Sequence, residues 1–144
     1  DLDHFKKVND NYGHLIGTRL LELVALDVKG LLRETDLMYR YGGDEFVIIL
    51  TNANAQAGKM VGERILNKIK SKSYEFETKE KKHVLNLSVS IGVAEFPTDA
   101  KNSDEVLSLA DRMMYEAKES GRGVVFNTQD IFKSALKKVV AKES

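Results

Sequence analysis

Leu37-Met38-Tyr39-Arg40-Tyr41-Gly42-Gly43-Asp44-Glu45-Phe46-Val47-Ile48-Ile49-Leu50 is the stretch on which the reading turns. Apolar and aromatic residues on both sides of a glycine pair predict a strand from Asp36 to Tyr41, a turn at Gly42-Gly43-Asp44 and a strand from Glu45 to Leu50. Paired glycines allow the positive φ angles of a tight hairpin. The hairpin would carry two carboxylates, Asp44 and Glu45, at its tip.

Upstream, Leu20, Leu21, Val24, Leu31 and Leu32 recur at helical spacing and predict a helix from about His14 to Arg33. Downstream, Met60, Val61, Ile65, Leu66 and Ile69 form the apolar stripe of a second helix, Ala53 to Lys72. Tyr74 to Thr78 and Val84 to Phe96 read as another hairpin around the charged turn Lys79-Glu80-Lys81-Lys82, with Leu85, Leu87, Val89 and Ile91 alternating. Pro97 ends that strand, Ser103-Asp104-Glu105 signals the start of a helix reaching about Ser120, and Gly121 stops it. Val124-Val125-Phe126 is a short strand, and Ile131 to Lys142 a basic tail helix. Hairpins mixed with helical crossovers predict an α+β fold around a mostly antiparallel sheet, with a domain over 1–126 and a tail over 127–144. Such a fold names no chemistry.

Composition narrows the field. A chain of 144 residues that is 42% hydrophobic is long enough to bury one real core. Its 22 basic residues balance 22 acidic ones, so no global field holds a polyanion and bulk nucleic-acid binding is not expected. Without cysteine there is no disulfide or thiolate metal site, which fits a reducing compartment. No apolar run approaches the roughly 20 residues of a membrane helix, and no signal peptide is visible, so a cytoplasmic module is expected. The opening Asp1-Leu2-Asp3-His4-Phe5, with no preceding strand or cap, reads as the continuation of a longer element.

Chemistry can reside in two acidic clusters. Asp1 and Asp3 lie beside Phe5-Lys6-Lys7, and Asp44 and Glu45 sit at the hairpin. Carboxylates from different strands can hold Mg²⁺, which takes a few oxygen ligands together with phosphate oxygens and water. Nearby backbone amides and Lys6 then suit nucleotide phosphates. Singly, each fragment has a plainer account, because Asp and Gly are ordinary turn residues.

Together, Asp1-Leu2-Asp3-His4-Phe5-Lys6-Lys7-Val8-Asn9-Asp10, Gly13-His14, Gly42-Gly43-Asp44-Glu45-Phe46, Ser90-Ile91-Gly92-Val93-Ala94, and Ala110-Asp111 through Tyr115-Glu116-Ala117-Lys118 with Gly121-Arg122 resemble the GGDEF family in order and spacing. The resemblance covers the chain to about Phe126. It implies a palm-like nucleotidyl-cyclase fold whose N-terminal helix and most of whose first strand lie upstream of residue 1. It also implies a diguanylate cyclase, in which two GTP-loaded domains meet as a homodimer, form cyclic di-GMP and release two pyrophosphates under an upstream sensory or dimerising domain.

Residue by residue, the resemblance makes Asp1, Asp44 and the Leu2 carbonyl ligands of Mg²⁺, with Mn²⁺ as a substitute, and Glu45 a general base or further ligand. Lys6 becomes a phosphate contact suited to charge building in the transition state. Asn9 and His14 line the nucleotide pocket beside Gly42 and Gly43, and Lys118 and Arg122 clamp phosphate. The last two also have a structural account, as cations complementing a helix C-terminus from nearby positions on one face. A lone histidine such as His14 is often structural.

The family pattern expects aspartate where this sequence has Thr18. A carboxylate accepts from the guanine ring N–H and exocyclic amine together, which adenine cannot reproduce. A hydroxyl donates or accepts, so Thr18 is expected to admit ATP beside GTP and to give cyclic GMP–AMP beside cyclic di-GMP; the alternatives are a GTP enzyme with a weakened pocket, or a neutral substitution that serves as a helix N-cap. Arg33-Glu34-Thr35-Asp36 resembles the family's inhibitory cyclic di-GMP site, completed by Arg64, although alone it would be an exposed ion pair of little energetic weight. The runner-up function is accordingly a catalytically idle receptor for cyclic dinucleotides.

Overall fold

A computed structural model describes residues 1–79, 81–133 and 135, and divides into two compact units: residues 1–51 with 64–89, and residues 52–63 with 90 onward. Both combine helices with short strands in the α+β manner anticipated.

The first unit opens with two helices, α1 (Phe5–Tyr12) and α2 (His14–Lys29), separated at Gly13, whose φ of 83° would strain a side chain. The sequence pattern had not revealed α1, because only Phe5 and Val8 of its residues are buried and so short a stripe gives little periodicity. In α2, Leu20, Leu21, Val24 and Val28 form the buried face. The helix stops short of the predicted Arg33. Leu31 and Leu32 donate to Val28 and Lys29, three residues back, so the last turn tightens and the chain leaves the axis.

The hairpin is present as β1 (Leu37–Arg40) and β2 (Phe46–Ile49), antiparallel, with Leu37 opposite Ile49 and Arg40 opposite Phe46. Neither Gly42 nor Gly43 has a positive φ, contrary to the tight-turn expectation. The loop of residues 41–45 is wide enough to reverse without it, closed by the N–H groups of Tyr41 and Gly42 donating to Glu45 O at 2.9 and 3.3 Å. Leu2 lies against this loop: its N–H donates to Asp44 O at 3.3 Å, and it forms an isolated antiparallel bridge with Val89.

A second antiparallel pair, β3 (Ser73–Glu77) and β4 (Lys82–Asn86), runs in register from Ser73 opposite Asn86 to Glu77 opposite Lys82. Tyr12 meets Phe76 and His83 edge-on, and those two rings stack on each other at 5.1 Å, tying α1 to this hairpin. Tyr74 is 1% exposed and donates its hydroxyl to Asp27 at 3.0 Å, while Lys72 pairs with the same carboxylate at 2.7 Å. Burial pushes Asp27 upward, but the bonds from Lys72 and Tyr74 outweigh it and hold the carboxyl below its usual range.

The predicted strand Val84 to Phe96 proves to be two, β4 in the first unit and another in the second. Ser88 O and Val89 are engaged with Asp3 and Leu2, and from Ile91 the chain takes a new partner. There β5 (Ile91–Val93) runs parallel to β6 (Val125–Asn127). A Cβ on Gly92 would strike Ala110 O and Met114 N, so this glycine lets α4 (Ser103–Glu119) press its backbone onto the strand, with Met113 and Ala117 buried. The helix cap is Asn102, not Ser103: its side chain accepts from Glu105 N–H at 2.9 Å while the Glu105 carboxylate accepts from Lys101 N–H at 2.9 Å. The helix α3 (Ala55–Ser71) begins here under a cap from Glu95, whose carboxylate accepts the Ala55 N–H at 2.8 Å. Residues 128–133 are helical; 134 and 136–144, most of the expected tail helix, lie outside the described residues.

Candidate functional site

The loop of residues 41–45 combines a fixed backbone with unengaged acids. Arg40 donates from Nε to Gly42 O and Gly43 O at 3.2 Å each, and from a terminal nitrogen to Gly43 O at 2.7 Å. The Leu2 N–H donates to Asp44 O at 3.3 Å. Among the described residues, neither the Asp44 nor the Glu45 carboxylate accepts a hydrogen bond or an ion pair. The Glu45 carboxylate folds over Gly42, where a Cβ would come within 2.8 Å of Oε2. A side chain at position 42 would therefore displace the Glu45 carboxylate, so Gly42 supplies room and not torsional freedom.

The metal reading survives a test of fit. Among the described residues no three histidine or acidic side chains form a ready-made cage. Mg²⁺ does not ask for one, since it commonly binds through one or two carboxylates plus substrate phosphates and retained waters. Asp1, the Leu2 carbonyl, Asp44 and Glu45 supply hard oxygen donors on two chain segments joined by the bond between Leu2 and Asp44. They suit a cation that arrives with its nucleotide.

Lys6 is exposed in the first turn of α1, where the leading N–H groups have no intrahelical acceptor. Asn9 lies one turn further along, its Oδ1 so close to the α-carbon of Gly17 that a Cβ there would collide with it; Phe5 Cζ would stand 3.1 Å away. Gly17 therefore sets where the Asn9 amide can rest. His14 and Thr18 are exposed, four residues apart on α2. Thr18 is well inside the helix and Gly13 is the N-cap residue, so the capping account of this threonine is incorrect.

In the second unit, Lys118 occupies the last turn of α4, but Arg122 is not on the helix. Gly121 (φ 120°) and Arg122 (φ 66°) reverse the chain, and their N–H groups return to Lys118 O and Ala117 O at 3.3 and 3.1 Å. This is a Schellman ending, which replaces the shared helix face expected for Lys118 and Arg122.

The Arg33 and Asp36 pair is closed on itself. The Asp36 carboxylate, with its side chain 3% exposed, accepts from Arg33 N, Nε and a terminal nitrogen at 2.9 to 3.1 Å. These bonds, led by the side-chain contact, hold Asp36 below the usual carboxylate range. Arg33 also donates to Thr51 O at 3.0 Å, and Arg64 to Leu31 O at 2.9 Å. The structure thus gathers Arg33, Asp36 and Arg64 around the segment between α2 and β1. Sequence reasoning missed Arg40 and Gly17. A cation next to a loop whose carbonyls lie beyond the ladder was the available signal for Arg40; nothing in the sequence alone foretold the contact at Gly17.

Comparison with known proteins identifies the family to which the chain belongs. A family model described as "Diguanylate cyclase, GGDEF domain" matches residues 1–124. Diguanylate cyclase A of Treponema denticola is 38% identical over 87% of the chain and 33% of its own length. The cyclic di-GMP phosphodiesterase PdeR of Escherichia coli is likewise 38% identical, over 85% of the chain and 18% of its own length. The crystal structure of the GGDEF domain of YfiN from Pseudomonas aeruginosa superposes with a TM-score of 0.79 at 32% identity, covering 88% of this chain and 77% of that one. The chain spans a third or less of either curated relative. With the motif residues in place on an α+β scaffold, the chain belongs to the GGDEF family and carries its palm-like fold.

Proposed function

We propose that the chain is the catalytic domain of a diguanylate cyclase, which condenses two GTP into cyclic di-GMP in a homodimer whose halves each present one nucleotide. The observation that carries this reading is the loop of residues 41–45: its backbone is fixed by Arg40 and Leu2 while the Asp44 and Glu45 carboxylates stay unengaged. Stability does not account for acids held ready in this way. The family alone does not decide, since one relative is named a cyclase and another a phosphodiesterase.

In the reaction, each 3′-hydroxyl oxygen forms a bond to the other nucleotide's α-phosphorus, the bond to the β-phosphate oxygen breaks, and pyrophosphate leaves. Bound Mg²⁺, or Mn²⁺ in its place, supplies charge neutralisation and lowers the hydroxyl pKa. Glu45 takes up the hydroxyl proton, Asp1, Asp44 and the Leu2 carbonyl hold the cation, and Lys6 neutralises phosphate charge. Asn9, His14, Gly42 and Gly43 seat the nucleotide, with Lys118 and Arg122 contacting phosphate. Thr18 on the exposed face of α2 offers a hydroxyl where a carboxylate would select guanine, so ATP enters as well and cyclic GMP–AMP accompanies cyclic di-GMP. Cyclic di-GMP returns as a feedback ligand at Arg33, Asp36 and Arg64, and an upstream sensory or dimerising domain governs pairing.

The test is to hold the chain as a dimer through a fused coiled coil, supply Mg²⁺ with equal GTP and ATP, and resolve the products by mass. Cyclic di-GMP with a mixed product is expected. Cyclic di-GMP alone would remove the role given to Thr18, and no product together with tight cyclic di-GMP binding would establish the receptor instead.

A further inference from the structure

We infer that Arg40 is a positioning residue that turns the loop of residues 41–45 into an anion cradle for the nucleotide. Arg40 draws the carbonyls of both Gly42 and Gly43 toward its guanidinium. The only cis peptide among the described residues is Phe96–Pro97, so the Gly42–Gly43 and Gly43–Asp44 bonds are trans. In a planar trans peptide the N–H points opposite to the C=O. The N–H groups of Gly43 and Asp44 therefore face away from Arg40, and neither donates a hydrogen bond among the described residues. Successive N–H groups facing one way form a concavity for a negatively charged oxygen.

The glycines fit this purpose. Gly43 has no atom within 4 Å of where its Cβ would be, so the loop is uncrowded on that side. Among the described residues the Arg40 guanidinium donates only to backbone carbonyls, so it acts on that ligand through the loop. Its planar fork engages two carbonyls at once, which the point charge of a lysine or the single amide of a glutamine reproduces only in part. With the cradle set, a phosphate oxygen is received on the same loop that carries Asp44 and Glu45.

This inference rests on the nucleotide-binding reading above and is tested by binding, so that its failure separates from failure of catalysis. The probe is a GTP analogue with a methylene bridge between the α- and β-phosphates, titrated with Mg²⁺ by calorimetry into the chain and into Arg40→Gln and Arg40→Lys. Arg40→Gln is expected to weaken the analogue at least tenfold with the thermal midpoint nearly unchanged, and Arg40→Lys to recover part of the loss. Wild-type affinity in Arg40→Gln, or a loss matched by general destabilisation, overturns the inference. Arg40-dependent binding in a chain that makes no cyclic dinucleotide upholds the cradle and discards the cyclase. A chain that binds no analogue discards both.

Discussion

Residues 33–36 and 42–45 flank the same strand, β1, and use charge in opposite ways. In the first, Arg33 and Asp36 satisfy each other with three hydrogen bonds, and the backbone is shaped by side chains. In the second, a side chain from outside the loop, Arg40, fixes the backbone, while the loop's own acids remain unengaged. The contrast separates a stretch whose charges satisfy each other from one whose acids take no partner among the described residues. Removing charge from the first should alter the free molecule, and removing it from the second should alter only what the molecule does.

The sharpest way to break that contrast is Glu45→Gln. The change removes a proton acceptor without removing volume, so cyclic dinucleotide formation should fall on the order of 10²- to 10⁴-fold, the usual worth of general base catalysis. Because the Glu45 carboxylate has no hydrogen-bond or ion-pair partner to lose among the described residues, the thermal midpoint should stay within a degree or two of wild type. A large drop in the midpoint would mean that the Glu45 carboxylate holds the loop together, and the division between the two stretches would collapse.

Gly17→Ala extends the same logic to the nucleotide pocket proposed around Asn9. The new methyl collides with Asn9 Oδ1, the end of a side chain that can swing away, so folding should lose little. The displaced amide can no longer rest where a purine edge would meet it, and KM for GTP should rise roughly tenfold, about 1.4 kcal/mol, with kcat reduced less. Equal falls in kcat and kcat/KM would assign Gly17 to the reacting centre instead.

How much of this was legible in the sequence depended on range. The hairpin could be read from Leu37 to Leu50 because apolar residues, glycines and acids follow one another within a single local unit. The division of Val84 to Phe96 could not, because it depends on Leu2 and Asp3, far away in sequence, engaging Val89 and Ser88. The helix α1 was hidden by its small buried face, and Arg122 was misplaced because helical spacing carries on in thought past a glycine where the chain in fact reverses. The proposed site residues were named through a motif, while the groups proposed to position them, Arg40 and Gly17, act through backbone carbonyls and missing side-chain atoms, which a motif does not display.

The smallest effect tests the closed side of the comparison. Arg33 holds the Asp36 carboxyl below its ordinary value, so the native state favours the ionised form. That stabilisation is fully present above the unfolded carboxyl pKa of about 3.9 and disappears as pH falls through the lower folded value. Asp36→Asn should therefore melt slightly below wild type at pH 7, and the gap should begin to narrow as the buffer is taken below about pH 4, closing only once the pH has passed below the lowered folded value, where wild-type Asp36 is also protonated. Melting curves of both proteins across this range decide the matter. A gap that persists unchanged in acid would mean that Asp36 holds the loop by shape and neutral hydrogen bonding, and the ion pair would then be an accompaniment to the local fold instead of its cause.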